Sequence, residues 1–348
     1  MSRQFGALSG LAMVLIVLNH AIQLSLNSPL VAGFPGTMGW EAVVLGFLQA
    51  LGSFAVPIFL FISGGFISYA ARGEPPTLSA KFIFSSLRHI LIPYLLWSFA
   101  FYVLIYFLID TRYSLPGYLM NLLTGYPFHF IPLLVFYYLL APLLIRLFMR
   151  FGWVPLLAIL GYQVFLMNYI FPGILGINYP DWARYLALPV LKGTLADWAI
   201  YFPLGLYFGI NSKSLTPLTI KFRWVTATLT TLFFLLAVLN ALGRVHIPWA
   251  RFLSPFFFAL VIPAIQRSAI PYVRTLENIG KRSYGLYLTH LLVLNLSLLL
   301  IRLLLPEVYF WRILLSFVLF LSGLLLPLFV MDRLAISPLK RFYRYLFG

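Results

Sequence analysis

A histidine at position 20 lies inside the first long apolar stretch of the chain, residues 5–26. A side chain that can carry charge is costly within a membrane span, so it is by default a candidate functional group. At about 100° per residue, its helix face also carries Ser9, Ile16, Gln23 and Asn27. This stripe is expected to face protein or a watery cavity. The alternative is an interhelical hydrogen bond that holds a helix bundle together.

A second apolar stretch with polar groups is F-A-V-P-I-F-L-F-I-S-G-G-F-I-S, residues 54–68. Pro57 removes a backbone donor and favours a kink. Ser63 and the two glycines after it allow either tight helix packing or the close approach of a ligand.

The stretch I-G-K-R-S-Y-G-L-Y-L-T-H, residues 279–290, opens another apolar segment. Ser283, Tyr287, His290 and Ser297 share one helix face, since they lie at i, i+4, i+7 and i+14. This face predicts the lining of a cavity open to the cytoplasm, and a hydrogen-bonded packing face is the alternative. The basic pair Lys281 and Arg282 precedes it directly.

Two further histidines and an arginine lie near the ends of apolar stretches. Arg88 and His89, in S-L-R-H-I-L-I-P-Y, are equally suited to lipid headgroups or to phosphate binding. His129 lies in Y-P-F-H-F-I-P, at the start of a later stretch. His246 is predicted to lie in a loop without a functional role.

The elements that must position these residues are membrane helices. Of 348 residues, 62% are hydrophobic and only 9% are charged, whereas about 25% are charged in a typical soluble domain. The sequence predicts an all-α polytopic bundle that forms one membrane domain over the whole chain. The absence of cysteine excludes disulfides and thiolate chemistry, and no metal-binding spacing of histidines appears.

Ten spans of about 20 residues are predicted from hydropathy. They are residues 5–26, 42–69, 90–109, 131–149, 153–170, 195–210, 224–242, 252–265, 284–304 and 311–331. With the N-terminus in the cytoplasm, 17 of the 24 basic residues fall in cytoplasmic segments, among them Arg72. The positive-inside rule therefore predicts that both termini are cytoplasmic, and it explains the net charge of +16 without a nucleic-acid partner. The segment Y-P-D-W-A-R, residues 179–184, on the other side, is either a binding loop or part of an aromatic belt at the membrane interface.

Five motifs in order resemble those of the acyltransferase-3 family of integral membrane acyltransferases. G-A-L-S-G-L-A-M-V-L-I-V-L-N-H is similar to the opening span of that family, which ends in a histidine. Four later motifs of the family resemble stretches that follow in the same order. These are the glycine motif of residues 54–67, S-L-R-H-I-L-I-P-Y-L-L-W-S, H-F-I-P-L-L-V-F-Y-Y-L-L-A-P-L-L and I-G-K-R-S-Y-G-L-Y-L-T-H. Together they cover most of the chain.

The resemblance implies transfer of an acyl group, commonly acetyl, from cytoplasmic acyl-CoA to a hydroxyl of a polysaccharide, glycolipid or lipid-linked sugar. No permanently bound cofactor is implied, and the setting is a bacterial inner membrane. His20 matches the histidine of the family's first span and is the implied general base. Ser63, His129, Tyr287 and His290 are candidates for substrate binding. Candidates for the CoA phosphates are Arg88, Lys281 and Arg282.

Two positions depart from the family pattern. The family usually has an arginine eleven residues before the first-span histidine, where this chain has Ser9, and a histidine two positions before His129, where it has Pro127. A different arginine, a different donor, or transport without acyl transfer remain open as alternatives. A transporter or flippase on the same scaffold is therefore the second hypothesis, because a fold alone does not fix a function. A purely structural role fits poorly with two aligned polar stripes.

Overall fold

The computed structural model of the protein describes residues 3–34, 36–37, 39–71, 73, 76–172 and 174–348. Arg72 lies outside the described residues. Helices make up 82% of the structure, and the described part contains no β-strand. Its α-helices are α1 (Arg3–Asn27), α2 (Gly39–Leu51), α3 (Ala55–Ala70), α4 (Ala80–Ile109), α5 (Leu115–Thr124), α6 (Phe130–Phe151), α7 (Val154–Ile170), α8 (Lys192–Trp198), α9 (Tyr201–Ile210), α10 (Ser212–Ala241), α11 (Ala250–Val261), α12 (Val273–Gly280), α13 (Ser283–Leu304), α14 (Arg312–Ile336) and α15 (Tyr343–Phe347).

Seven apolar segments among the described residues are long enough to cross a membrane. They comprise α1, α2 joined to α3, α4, α6, α10, α13 and α14, and they coincide with seven of the ten predicted spans. The other three predicted spans coincide with shorter apolar helices, Val154–Ile170, Tyr201–Ile210 and Ala250–Ala264. The helical membrane fold is thus confirmed, and the count of ten stays a prediction.

The described helices differ from three of the predicted spans. Helix α4 begins at Ala80, not at residue 90, because the Ser79 hydroxyl caps it by accepting the N–H of Phe82 at 3.2 Å. Helix α10 begins at Ser212, twelve residues before the predicted start at residue 224. The predicted span 195–210 is broken between α8 and α9. There Gln163 of α7 accepts the N–H of Ile200 at 2.9 Å and donates to the Asp197 carbonyl at 3.0 Å, which satisfies the interrupted backbone.

Helix α1 runs through the centre of the bundle and packs against α3, α12, α13 and α14. The start of α1 and the C-terminal helix α15 lie near the start of α13, at one face of the bundle that is called the terminal face. There the Gln4 side chain donates to the Ile262 carbonyl at 3.1 Å. The other end, which carries Asn27 and the start of α6, is called the opposite face. Of the polar stripe on α1, Ser9 and Ile16 are buried, whereas Gln23 and Asn27 are exposed towards the opposite face.

Candidate functional site

A wide cavity of 720 Å³ lies in the half of the bundle nearer the opposite face. Its polar lining comes from five different helices and the segments between them, and it includes amides, hydroxyls, one arginine and two histidines. The residues with polar or aromatic groups in this lining include Asn19, His20, Thr37, Gln49, Ser53, His129, Phe130, Trp198, Arg251 and Tyr287. This wall offers hydrogen bonds and flat rings to a ligand, with no acidic side chain in the lining.

His20 reaches the wall of the wide cavity from α1, about 10 Å from the end of that helix at 1.5 Å per residue. Its Nδ1 lies 3.3 Å from Oε1 of Gln23, one helical turn further along. An amide oxygen only accepts, so this contact fits the tautomer of His20 that has its hydrogen on Nδ1. In that tautomer Nε2 has a free lone pair, which a general base requires.

His290 of α13 stands against His20, with ring centroids 5.3 Å apart. Its Nδ1 donates to the Leu286 carbonyl at 3.2 Å. The side chain is fully buried, and its Nε2 has no hydrogen-bond partner among the described residues. The two histidines, 270 residues apart in the sequence, therefore form one imidazole pair beside the wide cavity.

A narrow cavity of 210 Å³ lies nearer the terminal face. Three serines line it, Ser9 from α1, Ser63 from α3 and Ser283 from α13. Phe130 and Tyr287 line both the wide and the narrow cavity. Their rings pack edge to face with centroids 4.7 Å apart, so this ring pair stands where the two cavities meet.

The predicted site residues fall into two groups. His20, His129, Tyr287 and His290 surround or back the wide cavity, and Ser63 lines the narrow one. The predicted cavity face of α13 is therefore found for Ser283 and Tyr287, whereas His290 packs behind it. Ser297 lies half-buried further along α13.

The basic candidates do not all behave alike. Lys281 forms an ion pair with Glu277 at 3.5 Å, and Arg282 forms one with Asp332 at 2.6 Å. Arg88 forms no ion pair with a described residue and lines a third cavity, of 640 Å³, called the basic pocket. The structure therefore separates Arg88 from the other two candidates.

Two features of the site were missed from the sequence. Arg251 lines the wide cavity, where its guanidinium lies 4.5 Å from the ring centre of Phe171 and 4.6 Å from that of Phe252. Arg341 and Arg344 join Arg88 in the basic pocket. No motif of the sequence marks these three arginines. The Y-P-D-W-A-R segment exposes Trp182, and the next residue, Tyr185, is exposed as well, as in an interfacial aromatic belt.

The arrangement is that of a membrane protein with cavities lined in part by polar side chains and with an imidazole pair beside the wide cavity. The model of the acyltransferase-3 family, described as an acyltransferase domain, matches residues 5–332. The chain therefore belongs to the acyltransferase-3 family. A search of curated proteins and a search of solved structures found no match to this chain. Family membership supports acyltransferase activity in general and leaves the donor, the acceptor and the base to be assigned.

Proposed function

We propose that the protein transfers an acyl group, commonly acetyl, from acyl-CoA to a hydroxyl of a sugar-containing acceptor in a bacterial inner membrane. The acceptor class is a cell-surface polysaccharide, a glycolipid or a lipid-linked sugar. The observation that carries this proposal is that His20 lines the wide cavity beside Tyr287, one of the two rings at which the wide and narrow cavities meet. A base at that junction can act on two substrates that enter from different faces.

In the proposed reaction, Nε2 of His20 takes the proton of the acceptor hydroxyl as its oxygen attacks the thioester carbonyl. The new C–O bond forms a tetrahedral oxyanion. When the C–S bond breaks, the proton on His20 passes to the departing thiolate, which leaves as free CoA. Gln23 holds Nδ1 throughout, so the same nitrogen accepts and returns the proton.

The two cavities give each substrate an approach of its own. The terminal face carries the larger share of basic residues, and the positive-inside rule assigns it to the cytoplasm. Acyl-CoA then approaches through the narrow cavity, and the acceptor occupies the wide cavity. Asn19, Gln49 and the ring of Trp198 suit a sugar there, since they offer hydrogen bonds and a flat apolar surface.

The direct test is the variant His20→Ala, assayed for transfer from radiolabelled acetyl-CoA in membrane vesicles that contain the acceptors of the host cell. We expect the rate to fall about 100-fold or more, the usual contribution of a general base. His246→Ala is the matched control, because His246 is an exposed histidine in a loop outside the wide cavity. Full activity of His20→Ala would remove His20 from the mechanism.

A second function, transport on the same scaffold, is favoured by the presence of one cavity towards each face of the bundle. A flippase would move a glycolipid across liposomes without acyl-CoA, and His20→Ala would not abolish that movement. The two functions are separated by measuring lipid movement and acetyl transfer in the same liposomes, with and without acetyl-CoA. Transfer that requires acetyl-CoA supports the acyltransferase, and movement without it supports the transporter.

A further inference from the structure

The C-terminal segment, residues 337–348, lies beyond the part of the chain that the family model matches. It is nevertheless held firmly against the bundle. Phe347 is buried, packs against Gly285 and stacks on Trp97, with ring centroids 6.2 Å apart. The indole N–H of Trp97 donates to the Leu346 carbonyl at 2.7 Å. The segment therefore packs against the bundle although it lies outside the matched residues.

This segment completes the basic pocket. Arg341 and Arg344 face Arg88 of α4 across a volume of 640 Å³, together with His89. None of the three arginines forms an ion pair with any residue that the structure describes, and no described acidic side chain is part of the lining. Three exposed cations held near one another repel, so the arrangement gains stability when an anion enters.

The chemistry of the pocket selects phosphate. A guanidinium presents a planar fork of N–H donors that matches the oxygens of a phosphate group. Nδ1 of His89 is already bonded to the Ser85 carbonyl at 2.5 Å, which leaves Nε2 for a ligand. We propose that Arg88, Arg341 and Arg344 form a phosphate-binding site at the terminal face, built jointly by α4 and the C-terminal segment.

The pocket also adjoins the narrow cavity. His89 lines the pocket and the next residue, Ile90, lines the narrow cavity. The hydroxyl of Tyr284, another residue of the narrow cavity, donates to the Ile90 carbonyl at 2.5 Å. A phosphate bound here belongs either to an acyl-CoA whose acyl chain extends towards the narrow cavity or to the headgroup of an anionic lipid. Only the first of these sources rests on the proposed function.

The test compares the double variant Arg341→Gln/Arg344→Gln with the control Arg333→Gln/Lys340→Gln. Both remove two charges from the same end of the chain, and the control residues do not line the pocket. In the coenzyme arm, binding of CoA and of 3′-dephospho-CoA to the purified protein is measured by calorimetry. In the lipid arm, the protein is placed in nanodiscs of phosphatidylcholine with and without phosphatidylglycerol. Native mass spectrometry then measures how much phosphatidylglycerol stays bound to each variant.

We expect the pocket variant to lose about tenfold or more in affinity in one arm while the control keeps it, because charge-assisted hydrogen bonds are removed. A loss for CoA identifies the coenzyme as the source, and a loss for phosphatidylglycerol identifies the lipid. Equal behaviour of the two variants in both arms would overturn the site. Absence of acetyl transfer would count against the proposed function alone, since both arms measure binding.

Discussion

At the scale of single residues, His290 is a buried polar side chain next to the proposed base. It is fully buried, and its Nε2 has no partner among the described residues. A buried polar atom without a hydrogen bond costs about 1–3 kcal/mol. The ring lies against His20, the proposed base. A group that costs stability at such a place is better explained by function than by packing.

We therefore expect His290→Leu to leave thermal stability in detergent unchanged or slightly raised, because the unpartnered nitrogen is removed from an apolar site. The same change is expected to slow acyl transfer about tenfold, since the ring that supports His20 is altered. Both effects are measured on one preparation, by a melting curve and by the transfer assay. A marked drop in melting temperature with an unchanged rate would show that His290 serves only packing.

The sequence singled out His20 and His290 separately, each from its position in an apolar helix. The sequence gave no reason to place them in contact. Helix periodicity shows which residues share a face of one helix, but it does not show which other helix packs against that face. The same limit applies to Arg282, whose ion pair with Asp332 depends on the packing of α13 against α14. The ion pair of Lys281 with Glu277 is local, because the two residues lie at i and i+4, and helix spacing alone could have indicated it.

At the scale of elements, glycines allow the helices that carry the site to approach closely. A side chain at Gly205 of α9 would collide with the backbone carbonyl of Phe61 in α3. A side chain at Gly64 of α3 would collide in the same way with the backbone at Phe202. Such contact between backbones is common where membrane helices associate. The same helix α3 carries Ser63 to the narrow cavity, so this packing also positions the site.

Gly205→Ala is expected to lower stability by about 1–3 kcal/mol, since the obstacle is a backbone carbonyl that cannot rotate away. The measurement is the melting temperature of the purified protein in detergent. Gly161→Ala is the control, because nothing lies within 4 Å of the position of its added side chain. There the better helix propensity of alanine should keep or raise stability. Equal melting temperatures for both variants would contradict the close packing of α3 and α9.

The sequence predicted the long apolar helices well, because hydropathy determines them. It predicted helix ends and breaks less well, because single side chains determine those. The long apolar helices follow from composition, because a bilayer accepts little else. The early start of α4 depends on the cap by Ser79, and the break before α9 depends on Gln163. Both are contacts of one polar side chain with the backbone, and an average over about 20 residues does not report them.

At the scale of the whole molecule, charge and cavities point in the same direction. The basic pocket and the narrow cavity lie towards the terminal face, and the wide cavity lies towards the opposite face. From the distribution of lysine and arginine, the positive-inside rule predicts that the terminal face is cytoplasmic. An acyl-CoA from the cytoplasm and an acceptor on the outer side would then meet at the imidazole pair.

The absence of natural cysteine makes this orientation directly testable. Asn178→Cys, exposed on the opposite face, is expected to react with a membrane-impermeant maleimide in intact spheroplasts. Leu339→Cys, exposed in the C-terminal segment, should react only after the membrane is permeabilised. The cysteine-free parent protein supplies the blank. The reverse labelling pattern would show the opposite orientation in the membrane, with the basic pocket on the outer side.

The sequence by itself determined the membrane class, the helical fold and the family, and it singled out His20 as a candidate, because these follow from local composition, periodicity and motif order. The tertiary structure decided how these parts combine. It placed His290 beside His20, set Phe130 and Tyr287 between two cavities, and brought the C-terminal arginines to Arg88. Each of these contacts joins residues from different helices. Their meeting depends on the order in which the helices pack, which no single stretch of sequence encodes.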